Sequence, residues 1–322
     1  MVQYIASRIG RAVFAVFVAV TLTFFILRLL PGGPVALMLE GVNDPEIAAK
    51  LMSDYGLDRP LIVQYGLFLW QLLQGNLGTS FYQVSPVIDI LLARLPWTLL
   101  LAGSAFVLTA LIGIPLGVYA AVRAGGWPDH LLRYLGLGGQ AMFVPSVAVL
   151  LLVVFALNLG WFPVGGAVSS SAVGTPGELG SILLHLVLPL LSLIIIQMGP
   201  YALTVRTNMA QILGADYIRS ARSHGIPRQR IIWKHGLRNA IIPAVTLMGV
   251  QLGTLVGGAV LTETVFAYPG IGALIYESVL RQDYPVLQGA FILLAITVVL
   301  ANLLTDLICI GLDPKLRTGV RS

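Results

Sequence analysis

Few side chains in this chain could do chemistry. Of its 322 residues, 19 are Lys or Arg, 14 are Asp or Glu, four are His and one is Cys. The lysines stand at 50, 234 and 315, none of them behind a glycine-rich turn, and the phosphate-cradling pattern Gly-x4-Gly-Lys-Ser/Thr is absent. The chain is therefore not expected to hydrolyse ATP itself. Neither His-Glu-x-x-His nor Gly-x-Ser-x-Gly occurs. The histidines (130, 185, 224 and 235) are scattered, and His185, near an expected membrane boundary, reads as structural rather than as a metal ligand. Cys309 lies in an apolar run and reads as a small buried hydrophobe. A single cysteine excludes an internal disulfide or a multi-cysteine metal site.

What remains is a basic segment between two apolar ones, residues 216–239. Asp216 stands where a first helix (216–224) begins, and a carboxylate there favours the helix dipole and can accept backbone N–H bonds. Gly225 ends that helix in the left-handed conformation a C-terminus often needs. Pro227 opens a second helix, 228–237, at a position where its missing N–H costs nothing. Tyr217, Ala221 and His224 then share one face, with Arg219 and Arg222 pointing more outward; small Ala221 would let the helix lie close in a partner's groove. A basic loop held against anionic lipid is the competing reading, but the helix–Gly–Pro–helix punctuation favours a docking element.

The elements positioning this hook are apolar. The chain is 57% hydrophobic and 10% charged, against about 25% charged in a soluble domain. Lipid is the expected solvent. Six runs could each cross ~30 Å of hydrocarbon: roughly 13–30, 95–122, 134–159, 182–203, 240–260 and 287–312. The first starts like a signal peptide but is too long and lacks a small-x-small cleavage site. Only five cations (Arg28, Lys50, Arg59, Arg94 and Arg281) would lie outside if the N-terminus is inside, so the positive-inside rule places both termini in the cytoplasm. The same distribution accounts for the basic balance without nucleic acid. The outer loop 31–94 alternates helix-like pieces (44–52 and 61–73) with breakers, and the Gly/Ser-rich loop 160–180 reads as mobile.

An ion-driven carrier needs ionisable groups inside the bilayer. Arg28, Glu263 and Asp306 all fall near span ends, where snorkelling or interfacial pairing explains them, and this weakens that reading. In the fifth run Gly249, Gly253 and Gly257 recur every four residues and mark a close helix approach, a face toward a second subunit, or a pathway wall; Gln251 and Thr254 are the polar candidates beside them. Prolines 115, 145, 189, 200 and 243 are expected to kink or cap spans.

The hook resembles the coupling (EAA) loop of bacterial ABC-importer permeases. Aligned on Gly225, the chain has Arg219-Ser220-Ala221 where the general pattern has Glu-Ala-Ala, and the final proline is displaced to Pro243. These departures, with His235-Gly-Leu-Arg-Asn239, are similar to the B-type permeases of the peptide/nickel importer family. Arg28-Leu-Leu-Pro-Gly-Gly-Pro34, Gly75-Asn-Leu-Gly-Thr-Ser80, Glu263-Thr-Val-Phe-Ala-Tyr-Pro-Gly-Ile-Gly272 and Asp313-Pro-Lys-Leu-Arg317 extend the resemblance over nearly the whole chain. It implies an all-α integral membrane protein with six transmembrane helices and ABC type I importer permease architecture, its coupling helix between the fourth and fifth spans. The whole chain 1–322 would be one permease domain, with a cytoplasmic N-terminus (1–12), the extracytoplasmic loop 31–94, the coupling loop 204–239 and a cytoplasmic tail (313–322). Implied ATPase-coupling residues are Asp216, Tyr217, Arg219, Ser220, Ala221, Arg222 and Gly225. Implied partners are a homologous C-type permease, two ABC ATPase subunits and an extracytoplasmic solute-binding protein in a bacterial cytoplasmic membrane. This chain would bind no cofactor, ATP and Mg being held by the ATPases. The implied cargo is a di- or oligopeptide, with nickel chelates or glutathione as alternatives.

Overall fold

The computed structural model describes residues 2–29 and 59–312. Residues 31–58 of the loop 31–94, with the helix-like piece 44–52, and the whole tail 313–322 therefore lie outside the described residues, as do the side chains of Thr254 and Cys309. The described chain is helical apart from its turns and one isolated bridge, Thr79 to Pro86. Its helices are α1 (Val2–Leu29), α2 (Leu61–Leu73), α3 (Val87–Val122), α4 (Trp127–Ala141), α5 (Val144–Leu151), α6 (Glu178–Leu213), α7 (Asp216–Ser223), α8 (Leu237–Val265), α9 (Ile271–Leu280) and α10 (Tyr284–Leu312). A π-helical turn, Leu152–Asn158, prolongs α5. A short turn, Arg228–Arg230, and a π-helical stretch, Ile231–Gly236, lead into α8.

Helices dominate because hydrocarbon offers a peptide group no partner, so each N–H and C=O is satisfied within its own segment. Among the described residues, four helices are long and apolar enough to cross a membrane: Ala6–Leu29, Val87–Val122, Glu178–Leu213 and Tyr284–Leu307. A fifth crossing arises if the pair Trp127–Gly139 and Val144–Asn158 counts as one span. The expected span 134–159 falls on that pair, which is bent by 105°, and Pro145 is among the prolines expected to kink or cap a span. Met142 and Phe143 are both extended, and Pro145 in the first turn of α5 restarts the helix. The expected run 240–260 lies within α8, a helix of 29 residues.

Two helices act as hubs. α6 packs against α3, α4, α5 and α8, while α10 carries α1, α8 and α9. α3 and α6 approach each other closely. A Cβ on Gly117 would stand 2.5 Å from the Ala202 carbonyl oxygen and 2.7 Å from Val205 Cβ. Gly113 lies one turn earlier against the Tyr201 ring. Glycines four apart on one face let the two backbones meet. This Gly113-x-x-x-Gly117 spacing equals that of the fifth run and was as readable there. Along the spans large apolar side chains face outward, as lipid requires: Phe14, Leu111, Leu150 and Leu183 are all more than half exposed.

Three expectations need correction. The loop 160–180 is tied down: Gly166 N–H donates to the Phe266 carbonyl, Ser169 N–H to Ser181 Oγ and Gly174 N–H to Glu178 Oε2, while Ala167 is buried. Glu263, at the end of its helix, is wholly buried and does not snorkel, because it finds hydrogen-bond donors inside the chain. The second arm of the hook is no separate helix but runs on into α8, because Pro227 and the π turn start a segment that nothing stops. Arg28 and Asp306 do pair near helix ends. Arg28 lies 4.1 Å over the Phe24 ring and donates to Gln64 Oε1 at 2.8 Å, and Asp306 pairs with Arg8.

Gly117→Val should cost about 2 kcal/mol through overpacking. The thermal midpoint of the detergent-purified protein should fall, whereas Gly253→Val, at a site with no neighbour within 4 Å, should leave it unchanged.

Candidate functional site

The hook forms where α6 ends. After Leu213 the chain passes through Gly214 and an extended Ala215 (φ −70°, ψ 152°), then turns into α7. Ala215, not Asp216, therefore occupies the N-cap, and no side chain caps the helix. Asp216 sits one position later with its carboxylate 96% exposed, 3.5 Å from Arg219. Such an exposed pair contributes little, so the expected cap is replaced by favourable charge near the helix start.

What holds α7 down is Ile218, which is fully buried. The sequence reading passed over it, although it is the one branched aliphatic side chain in a polar octamer. Tyr217 is half-exposed, and its hydroxyl accepts a hydrogen bond from Asn239 Nδ2 at 3.1 Å, tying α7 to the first turn of α8. Ala221 is partly buried, whereas Ser220, Arg222 and His224 are exposed, so the expected Tyr217–Ala221–His224 face is only its middle residue deep. His224 instead turns back, its Nδ1 2.7 Å from the Ser220 carbonyl.

The end of α7 follows the sequence closely. Gly225 has φ +73°, its N–H donates to the Arg222 carbonyl (3.0 Å), and Ile226 N–H reaches back to the Ala221 carbonyl (3.3 Å). This is the Schellman arrangement, which satisfies two carbonyls that would otherwise end the helix unpaired. The chain returns through Pro227, whose carbonyl accepts from Ile231 N–H at 3.1 Å. Ile231 is buried, and a Cβ on Gly236 would stand 2.7 Å from Met209 Cε, so this arm lies tight on α6. Beside the hook is a groove of about 400 Å³ between Val122, Leu213, Ile226, Ile231 and Ile232, with Arg222 and Arg228 at its lip.

Charge completes the face. Arg219, Arg222, Arg228, Arg230, Lys234 and Arg238 are all exposed. Deeper in, Asp129 is fully buried and gathers Arg206 Nη2 (2.5 Å), Arg133 Nε (3.2 Å) and Gly125 N–H (2.9 Å). A buried carboxylate is tolerated when its lone pairs are filled in this way. It locks the α3–α4 turn to α6 two turns above the hook. The sequence reading missed it, since Asp129 and Arg206 are 77 residues apart.

The glycine stripe on α8 divides. Gly249 faces α10, where an added Cβ would stand 2.9 Å from Thr305 Cγ2. Gly253 and Gly257 have no neighbour within 4 Å and are exposed, and Gln251 is partly buried. The site residues thus fall into a hook at one end of α6 and α8 and an open strip along α8.

Comparison with known proteins makes the class of this multi-span helical protein definite. The family described as "Binding-protein-dependent transport system inner membrane component" matches residues 113–318, and its N-terminal counterpart matches residues 1–102. The chain belongs to this family and is a multi-pass inner-membrane protein. It is 36% identical to the dipeptide transport system permease protein DppB of Escherichia coli K12, over 98% of this chain and 99% of that one. It is 36% identical to the di/tripeptide permease DppB of Pseudomonas aeruginosa and 34% identical to the oligopeptide permease AppB of Bacillus subtilis, with the same coverage. Among solved structures, two inward-facing forms of the MetNI methionine ABC transporter share the fold. Their TM-scores are 0.54 and 0.55 at 19% and 20% identity, over 70% of this chain and 96% and 97% of theirs.

Gly225→Ala forces an L-residue into the left-handed region and should cost about 1 kcal/mol locally. Limited trypsin digestion of the membrane-inserted protein should then cut faster at Arg222 and Arg228, with no change at Arg123.

Proposed function

We propose that this chain is a permease subunit of an ATP-driven importer that carries di- or oligopeptides across the cytoplasmic membrane. It holds no catalytic site and no cofactor of its own; ATP and Mg belong to separate ATPase subunits. A homologous C-type permease completes the pathway, and an extracytoplasmic solute-binding protein delivers the cargo. The names of the peptide-transporting relatives weigh for peptide over nickel chelates or glutathione. In this reading α8 and the bent α4–α5 pair each cross the membrane, which makes six spans with both termini cytoplasmic. The five outer cations against the many on the hook support that orientation.

The observation that carries the reading is the build of α7. It is short, closed by a Schellman turn, anchored by Ile218 and clamped to α8 by Tyr217–Asn239. A loop that only rested on lipid needs none of this stiffness. A lever does, because a flexible hook would absorb the displacement it has to transmit. ATP-driven closure of the two ATPases moves the coupling helices, and Asp216, Tyr217, Arg219, Ser220, Ala221, Arg222 and Gly225 form the surface they grip. The movement passes into α6 and α8, which leave the hook at its two ends, and the pathway opens alternately to either side. Gly253 and Gly257, on the open strip of α8, face the pathway or the second permease, with Gln251 and Thr254 beside them; Gly249 serves packing.

The test is uptake of labelled dialanine by proteoliposomes holding the two permeases and the ATPases, with the solute-binding protein on the outer side. Gly225→Pro removes the N–H that bonds Arg222 and cannot adopt φ +73°, and Ala221→Trp fills the docking face. Each should cut ATP-dependent uptake at least about tenfold while the chain stays inserted. Uptake at the wild-type rate in both would overturn the assignment. Nucleotide-free uptake by the lone chain would instead establish an ion-gradient carrier.

A further inference from the structure

The string Glu263-Thr-Val-Phe-Ala-Tyr-Pro-Gly-Ile-Gly272 is not explained by the hook, since it lies at the opposite end of α8. Its first residue is a carboxylate with no exposure at all. Glu263 Oε2 accepts the Gly272 N–H at 2.7 Å and the Ala273 N–H at 3.2 Å, two of the amides that the first turn of α9 leaves without a helical partner. Glu263 Oε1 accepts the Thr98 hydroxyl from α3 at 2.7 Å, and Thr98 Oγ1 in turn accepts the Ile271 N–H at 2.8 Å. One carboxylate thus joins the last turn of α8, the first turn of α9 and the middle of α3.

The rest of the string is shaped around that joint. A Cβ on Gly270 would fall into the Glu263 carboxylate, and one on Gly272 would meet the Val260 backbone, so only glycine lets α9 start this close to α8. Tyr268 N–H donates to the Glu263 carbonyl at 2.8 Å, and its buried ring meets Trp97 of α3 edge-on at 5.9 Å. The far end of α9 is held by a second buried carboxylate. Asp283 accepts from Ser80 Oγ (2.5 Å), Phe81 N–H (3.3 Å) and Tyr82 N–H (3.4 Å), and so ties α9 to the turn before α3. α9 is therefore fastened at both ends, and its link to α8 runs through Glu263.

α8 leads by a continuous helical path from the hook to Glu263. We propose that Glu263 is a positioning residue: it is the joint that makes α9 follow α8, so that a displacement starting at the hook reaches the opposite face of the membrane. This rests on the importer reading above. A carboxylate suits the task because its two oxygens take three donors from two directions. Burial strengthens these bonds, because the surrounding dielectric is low.

The experiment uses the assembled complex, two permeases with their ATPases, in nanodiscs of phosphatidylethanolamine and phosphatidylglycerol. ATPase activity is measured without and with solute-binding protein loaded with dialanine. Wild-type complex that shows no stimulation would refute the importer reading itself. Given stimulation in wild type, Glu263→Ala should leave basal ATPase within about twofold and reduce the stimulated part about tenfold. Glu263→Gln keeps an oxygen toward α9, and Thr98 can turn to accept its amide; it should recover most of the loss. Thr98→Val, a milder variant, should fall between. Nitroxide labels at Leu261→Cys and Tyr276→Cys, in a Cys309→Ser background, should give one distance through the nucleotide cycle in wild type and a broadened distribution in Glu263→Ala. Full stimulation and an unbroadened distance in Glu263→Ala would overturn the joint. So would basal and stimulated activity falling in parallel in all three variants, since that is the mark of a residue needed only for folding.

Discussion

A charged group that leaves water for the interior of a membrane protein must find its hydrogen-bond donors within the chain, and this constraint organises the structure. Asp129, Glu263 and Asp283 are all buried, and each accepts at least one backbone N–H together with at least one side-chain donor. An unpaired carboxylate there would cost far more than any single contact returns. Each is therefore tolerated only in one arrangement of its neighbours. The three sit where helices turn, so they specify the angles between elements that apolar packing alone would leave adjustable.

Between those joints, the spans meet by shape. Lipid tails are as apolar as leucine, so helices gain little from hiding leucines from them, and close backbone approach matters instead. Gly117 against Ala202 and Gly249 against Thr305 supply that approach. The result is a body of helices joined at a few polar nodes. The hook follows the same logic with different means. In water its helix cannot rely on propensity over eight residues, and it is held by one buried isoleucine, one tyrosine–asparagine bond and a glycine turn.

Much of this was legible in the residues. The piece 61–73 was read as helical and is α2. The helix from Asp216, the left-handed Gly225 and the fresh start after Pro227 were read from local chemistry, because caps and turns depend on a few adjacent residues. The family resemblance was legible for a similar reason, since its motifs are short strings. Glu263 shows the opposite case. Position in the sequence put it at a span end and suggested an interfacial role, but its donors come from residues 98, 272 and 273. Asp129 likewise depends on Arg206, and the ordered 160–180 loop depends on Phe266.

By itself the sequence determined that the solvent is lipid, that the elements are helices, that a basic hook interrupts them, and which family of strings they carry. Composition, periodicity and local capping decide these things one segment at a time. Only the tertiary structure decided that the 134–159 run is bent by 105°, that the hook continues into α8, and that α8 ends on a buried carboxylate holding α9. Those outcomes depend on which distant atoms meet, and the burial that makes a carboxylate seek three donors exists only once the helices have closed around it.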